Sequence, residues 1–491
     1  MRYTFCMNEK RNLLFFPIGT IGRDMVYQLF TNFIFTFVLF TRELSNAQIA
    51  MLTAIIVGAR IFDAANDPLM GNIIDRTRSP FGKFKPWLTL GIILTAVVVI
   101  ASFNVDLEGN AFIVFFALMY FLYSIVFTMH DISYWGMIPS LAKDAYRRDI
   151  FTSLTNLCVG IGNALAGILI PLFTIGSLTL AGSTKAAYGI LAIIFSLVGI
   201  LFLSFTIFLV KENRDYEKLP VPPISLKKII SVFKNNDQVL WMALILLLQQ
   251  TGQTICTSGL GATYIYFEFG YEGGLWSLFT TAGLAPCVFL MIAYPAIAKK
   301  FSRKTFMTKM LFVSSFGYLG MLLVGMAFLQ SNYKFYFFTA TYAIANFGFY
   351  AFYLIMMISL LNTVEYNEWK CGERNDAIIT SVRPFVTKLA TALSVSFASF
   401  AYILFRVTKQ TNAIASLEQS ASRALITEAE KLNAIQTMLS SSEQSQRIGM
   451  LVFITVIPFL FMLASYILYQ TKYTIDETKY TIICEEIKTR R

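Results

Sequence analysis

Long apolar stretches separated by short polar ones run the length of the chain. Twelve of them reach the roughly 20 residues that a helix needs to cross a bilayer core. They fall at about 15–40, 47–75, 87–104, 111–139, 151–176, 186–211, 237–267, 273–298, 305–329, 333–363, 376–407 and 448–472. The pattern predicts an all-α integral membrane protein with twelve transmembrane helices. The first stretch lacks the short apolar core and small-residue cleavage site of a signal peptide, so it is expected to be retained.

The punctuation between stretches suggests a chain built twice. After the sixth comes KENRDYEKLPVPPISLKKIISVFKNN, residues 211–236, polar and proline-containing, which reads as a linker between six-helix halves at 1–210 and 237–472, with 473–491 as a tail. GNIIDRTRSPFGK follows the second stretch and PAIAKKFSRK follows the eighth, the matching place in the second half. Internal duplication of this kind is common in secondary transporters, which hold substrate near the bilayer midplane between the repeats. Before the last stretch, an external segment at about 408–446 containing ASLEQSASRALITEAEKLNAIQTML reads as a polar helical insertion, expected to be solvated in preference to the alternative of a lid.

Composition agrees. The 491 residues are 56% hydrophobic and only 14% charged, against roughly 25% charged in a soluble domain. Most Lys and Arg lie in the amino-terminal segment, in alternate loops and in the tail, which predicts both termini in the cytoplasm of a multi-pass plasma membrane, the inner membrane in a bacterium. That bias accounts for the net charge of +11 without nucleic acid, because the basic residues are dispersed among loops. Cys6, Cys158, Cys256, Cys287, Cys371 and Cys484 show no paired spacing, so neither a disulfide framework nor a zinc site is expected. His130 is the single histidine, and no convincing nucleophile–base pair, metal cluster or Walker glycine loop accompanies it. The chain is therefore expected to be no enzyme, to use no cofactor and to need no obligate protein partner.

Charge inside the apolar stretches is what remains to be explained. In GARIFDAANDPLMGNIIDRTRSPFGKFKPW, Asp63, Asn66 and Asp67 share one helical face. Exposing them to lipid would cost several kcal/mol, so the face must look inward. Arg23, Asp24, Arg60, Asp131, Arg383 and Lys388 are further ionisable groups within stretches. At 1.5 Å per residue, Asp24, Asp67 and Asp131 lie about 12 to 14 Å deep and Asp63 and Lys388 about 18 Å, one layer near mid-membrane. A set of ion pairs that merely fixes helix packing is the plainer explanation, but buried pairs stabilise poorly. Carboxylate, amide and hydroxyl oxygens suit a hard cation such as Na⁺, and Thr128, one turn before Asp131, adds a hydroxyl; desolvated carboxylates also suit H⁺ as the coupling ion. Asp131 and Trp135, four apart, offer a sugar a carboxylate acceptor and an aromatic face.

Three segments, ARIFDAANDPLMGNIIDRTRSPFGKFKPW, DISYWGMIPSL and NTVEYNEWKCGERNDAIITSVRPFVTKLA, resemble the glycoside–pentoside–hexuronide:cation symporters, the melibiose permease group of the major facilitator superfamily. The resemblance covers both halves and implies the major facilitator fold and symport of a sugar or glycoside with Na⁺ or H⁺. It implies that Asp63, Asn66, Asp67 and Thr128 serve the cation, with any Na⁺ at Asp63 and Asp67. It implies sugar contacts at Arg23, Asp24, Asp131, Trp135 and the helix-ten aromatic Tyr353, with Lys388 coupling the two sites. The chain departs from the pattern at two places: Thr155 or Asn156 stands where many relatives carry a sugar-contacting arginine, and Asn362 where many carry an aspartate. A carrier of an amphiphile such as a lysolipid is the nearer rival reading, and a membrane-embedded enzyme or receptor the remoter one.

Overall fold

The computed structural model describes residues 2–142, 145–212, 226–327, 331–373 and 375–490. Nearly all of them are helical, with no strand among the described residues. The first half of the chain forms α1 (Arg2–Ile18), α2 (Thr20–Thr41), α3 (Asn46–Arg76), α4 (Lys85–Asn104), α5 (Gly109–Leu141), α6 (Ala145–Thr174) and α7 (Thr184–Leu209). Then come α8 (Leu226–Asn235), α9 (Asp237–Thr257), α10 (Gly259–Phe269), α11 (Gly273–Ala298), α12 (Arg303–Met326), α13 (Ser331–Cys371), α14 (Asp376–Thr380) and α15 (Val382–Leu404). The chain closes with α16 (Thr408–Ser422), α17 (Glu428–Ser440), α18 (Gln444–Lys472) and α19 (Glu477–Arg490).

Among the described residues, twelve helical stretches are long and apolar enough to cross a membrane, at the places hydropathy predicts. Three of them are broken within: Lys10–Thr41 spans α1 and α2, Asp237–Phe269 spans α9 and α10, and Ile378–Leu404 spans α14 and α15. Ser258, between α9 and α10, is extended at φ −92° and ψ −172°. Of the linker expected at 211–236, residues 213–225 lie outside the described residues, and α8 occupies most of the remainder.

Packing resolves into two compact units. One comprises Met1–Pro223, Tyr271–Ser277 and Thr408–Met438; the other comprises Ile224–Gly270, Leu278–Val407 and Leu439–Arg491. The α16–α17 segment, expected as an insertion of the second half, is thus packed with residues of the first.

Within the first unit, two glycines bring three backbones together at one level. A Cβ on Gly22 would lie 2.5 Å from the Val198 carbonyl oxygen of α7, and one on Gly162 of α6 would lie 2.4 Å from the Ile21 carbonyl oxygen. Only hydrogen fits there, so α6 and α7 close on α2 at the turn that carries Arg23 and Asp24. Gly22→Ala or Gly162→Ala is expected to destabilise the protein by about 1–3 kcal/mol through overpacking, read as a lowered midpoint of thermal unfolding in detergent. An unchanged midpoint would show that this seam has slack. Beneath it, Phe16 stacks on Tyr134 with centroids 4.3 Å apart, in an apolar cluster with Met137, Phe151 and Leu203.

Candidate functional site

Two polar clusters occupy the first unit, and α5 contributes to both. In the first cluster, Arg23 projects from α2 and is 2% exposed. Its Nε and Nη2 donate to Asp24 Oδ2 at 3.2 and 2.9 Å, and its Nη1 donates to Asp131 Oδ1 of α5 at 2.9 Å. One planar fork therefore joins two carboxylates from different helices, a geometry that an ammonium cannot reproduce. The guanidinium carbon lies 5.0 Å from the Tyr134 ring centroid and 5.9 Å from that of Trp135. Tyr134 is fixed in turn by donating its hydroxyl to the Phe16 carbonyl. Asp24 is buried, whereas the Asp131 side chain keeps 31% of its surface open, which leaves carboxylate oxygen available to a ligand.

The second cluster lies between α3 and α5. Asp63 Oδ2 accepts from Arg60 Nη1 at 3.3 Å and Oδ1 accepts from Ser124. Thr128 Oγ1 donates to Asp67 Oδ1 at 2.9 Å. Asn66 is buried, and its Nδ2 has no hydrogen-bond partner; reversing the amide would present Oδ1 in its place. Arg60 Nε and Nη2 are likewise buried without acceptors. Pro68 continues α3 directly after Asp67, and its missing N–H takes the helical donor from the carbonyl one turn earlier. Carboxylates of α3 thus meet hydroxyls of α5, oxygen donors of the kind that suit a hard cation.

Ser124, Thr128, Asp131 and Trp135 recur along α5 at the three- and four-residue steps of one helical face, so this helix contributes side chains to both clusters. Ser124 was not among the residues expected from sequence; its place one turn before Thr128 is the signal that could have found it. Tyr353 and Lys388 belong to the second unit. Tyr353 of α13 is half-buried beside Tyr350, with centroids 5.7 Å apart, and Lys388 is half-buried on α15. Arg383 is exposed. Of the two positions that depart from the family pattern, Thr155 is buried with its hydroxyl unpaired, and Asn156 is exposed and caps the Thr152 carbonyl at 2.9 Å. Asn362, with its amide oxygen turned to Arg303, accepts from that guanidinium at 2.6 and 3.2 Å, a neutral partner where a carboxylate would pair. His130 is wholly buried, and neither ring nitrogen finds a partner.

Twelve helices long and apolar enough to cross a membrane among the described residues mark a multi-pass membrane protein. The family model for MFS/sugar transport proteins matches residues 15–477, and the chain belongs to that family. It is 27% identical over 410 residues to a lactose permease of Leuconostoc lactis, covering 79% of this chain and 62% of the permease. It is 26% identical over 380 residues to the inner membrane symporter YicJ of Escherichia coli, covering 76% of this chain and 78% of that protein. The chain thus spans less than two thirds of the length of the lactose permease. Among solved structures, a bacterial homologue of the lysosomal transporter Spinster, titled inward-facing and unoccupied, superposes with a TM-score of 0.62 at 11% identity, covering 96% of this chain and 98% of that one; at this identity the likeness concerns the fold alone.

Proposed function

We propose that the chain is a secondary active transporter that couples uptake of a sugar or glycoside to Na⁺ or H⁺ entry by alternating access, with both termini cytoplasmic. The observation that carries this reading is the pair of clusters on α5. The Asp24–Arg23–Asp131 bridge beside Trp135 is suited to a pyranose: carboxylates and guanidinium meet the hydroxyls, and the indole meets the apolar C–H face. Asp63, Asn66, Asp67 and Thr128 are suited to the ion. Relatives named as a lactose permease and an inner membrane symporter support the reading of a sugar symporter.

The mechanism follows from charge. A cation at Asp63 and Asp67 offsets two carboxylates held near mid-membrane, which lowers the cost of taking the layer out of water while the halves rearrange. A sugar spanning Asp24 and Asp131 fixes α5 against α2, and the same helix positions Thr128 against Asp67. Each ligand therefore favours the helix arrangement the other needs, which is a coupling free energy between two sites. Lys388 and Tyr353 are proposed to serve coupling and sugar contact from the second half. The test is uptake of a labelled glycoside panel into vesicles with Na⁺ and H⁺ gradients imposed separately. Accumulation above equilibrium under one gradient and its collapse with an ionophore are expected; accumulation of no glycoside under either gradient would overturn the reading.

A further inference from the structure

Outside the membrane spans, Glu418 of α16 and Lys431 of α17 form an ion pair at 3.3 Å with side chains only 1% and 0% exposed. A merely solvated surface excursion would leave such residues in water. Here every end of the pair is taken up. Glu418 accepts from the Thr184 backbone N–H at 2.8 Å and from the Tyr271 hydroxyl at 3.3 Å, and Lys431 donates to the Gly182 carbonyl at 3.0 Å.

Further bonds moor the same segments to the first unit. Asn412 donates to the Leu44 carbonyl and accepts from its N–H, both at 2.9 Å, and Gln419 donates to the Thr41 carbonyl at 3.2 Å. The Gly273 N–H donates to the Ile175 carbonyl at 3.0 Å, and the Ser277 hydroxyl to the Ile168 carbonyl at 2.9 Å. Yet residues 271–277 and 408–438 come from the second half of the sequence, and peptide bonds tie them to the second unit. Two of those crossings have positive φ nearby, +126° at Gly270 and +54° at Arg406. Within the second unit, Gln446 donates to the Arg406 carbonyl at 3.3 Å and Arg447 to the Leu439 carbonyl at 2.6 Å, which ties down both feet of the α16–α17 hairpin.

We propose that these moored segments form a releasable extracellular clasp, and that the Glu418–Lys431–Tyr271 junction opens during the outward-facing part of the cycle. The inference rests on the transporter reading above. Its polar chemistry suits reversible use: buried ions lost hydration when they paired and regain it on separation, so the net cost of opening stays small while the closed geometry stays specific. An apolar seal of the same extent would resist opening in proportion to its area.

Glu108 and Arg423, exposed and 3.7 Å apart, allow the clasp to be fixed from outside. In the full-length Glu108→Cys/Arg423→Cys variant, bridging with a short bis-methanethiosulfonate is expected to abolish glycoside uptake in vesicles. Reductant should restore it, while wild type treated alike continues to transport. Undiminished uptake after complete bridging would overturn the clasp. Hydrogen exchange on the whole protein provides a readout that needs no transport. Lys431→Met leaves Glu418 buried and unpaired, so amides in 408–438 should exchange on the order of 100-fold faster relative to those of α4. Unchanged exchange would overturn the junction whatever the uptake. Wild type inert toward every glycoside, with the hairpin released by Lys431→Met, would instead refute the transport reading alone.

Discussion

Arg23→Met is expected to abolish glycoside binding and to destabilise the protein by about 3–5 kcal/mol, the cost of leaving buried charge uncompensated. Arg23 is 2% exposed, and its guanidinium holds Asp24 and Asp131 together through three hydrogen bonds. Its removal leaves Asp24 in an apolar setting and frees Asp131 to swing from its position on α5. Arg23→Lys separates folding from binding. It keeps the charge, so most stability should survive, but a single ammonium cannot span both carboxylates as the planar fork does. Binding titrations beside thermal unfolding make the comparison, and Arg23→Lys with wild-type affinity would contradict the bridging role.

The second large effect belongs to the ion. Asp63→Asn and Asp67→Asn are each expected to abolish accumulation driven by the ion gradient, because each removes one of the charges that a cation would neutralise. Glycoside equilibration down its own gradient should persist, since Arg23, Asp24, Asp131 and Trp135 are untouched. Asp63→Asn also removes the ionic partner of Arg60, whose Nε and Nη2 already lack acceptors, so it is expected to cost more stability than Asp67→Asn. Parallel measurement of driven and undriven fluxes decides the matter. Intact accumulation in both variants would remove these aspartates from the coupling path.

Much of this was legible in the sequence because the bilayer imposes its own ruler. A helix must carry its apolar residues in runs of membrane length, and the twelve stretches of the chain match twelve helices among the described residues that are long and apolar enough to cross a membrane. The grouping of Asp63, Asn66 and Asp67 was equally readable, since 3.6 residues per turn is fixed by the backbone. What spacing could not give were pairings across helices. Arg23 and Asp131 stand 108 positions apart, and no periodicity within either helix registers a partner at that separation. Ser124 escaped notice because a lone serine in a spanning helix commonly bonds its own backbone. The place of 408–438 was hidden for another reason: Glu418 and Lys431 read as surface charge until Gly182, Thr184 and Tyr271 supply their partners.

Because α5 lends side chains to both clusters, while the bridge takes Arg23 and Asp24 from α2 and the second cluster takes Asp63, Asn66 and Asp67 from α3, faults are expected to sort by helix. A lesion that shifts α5 along its axis is expected to disturb the proposed ion and sugar sites alike, and so to yield a dead carrier rather than a leaky one. Slippage, in which one ligand crosses without the other, should arise instead from changes on α2 or α3. A genetic screen for proton or sodium leak would accordingly gather its hits on those two helices and pass over the one between them.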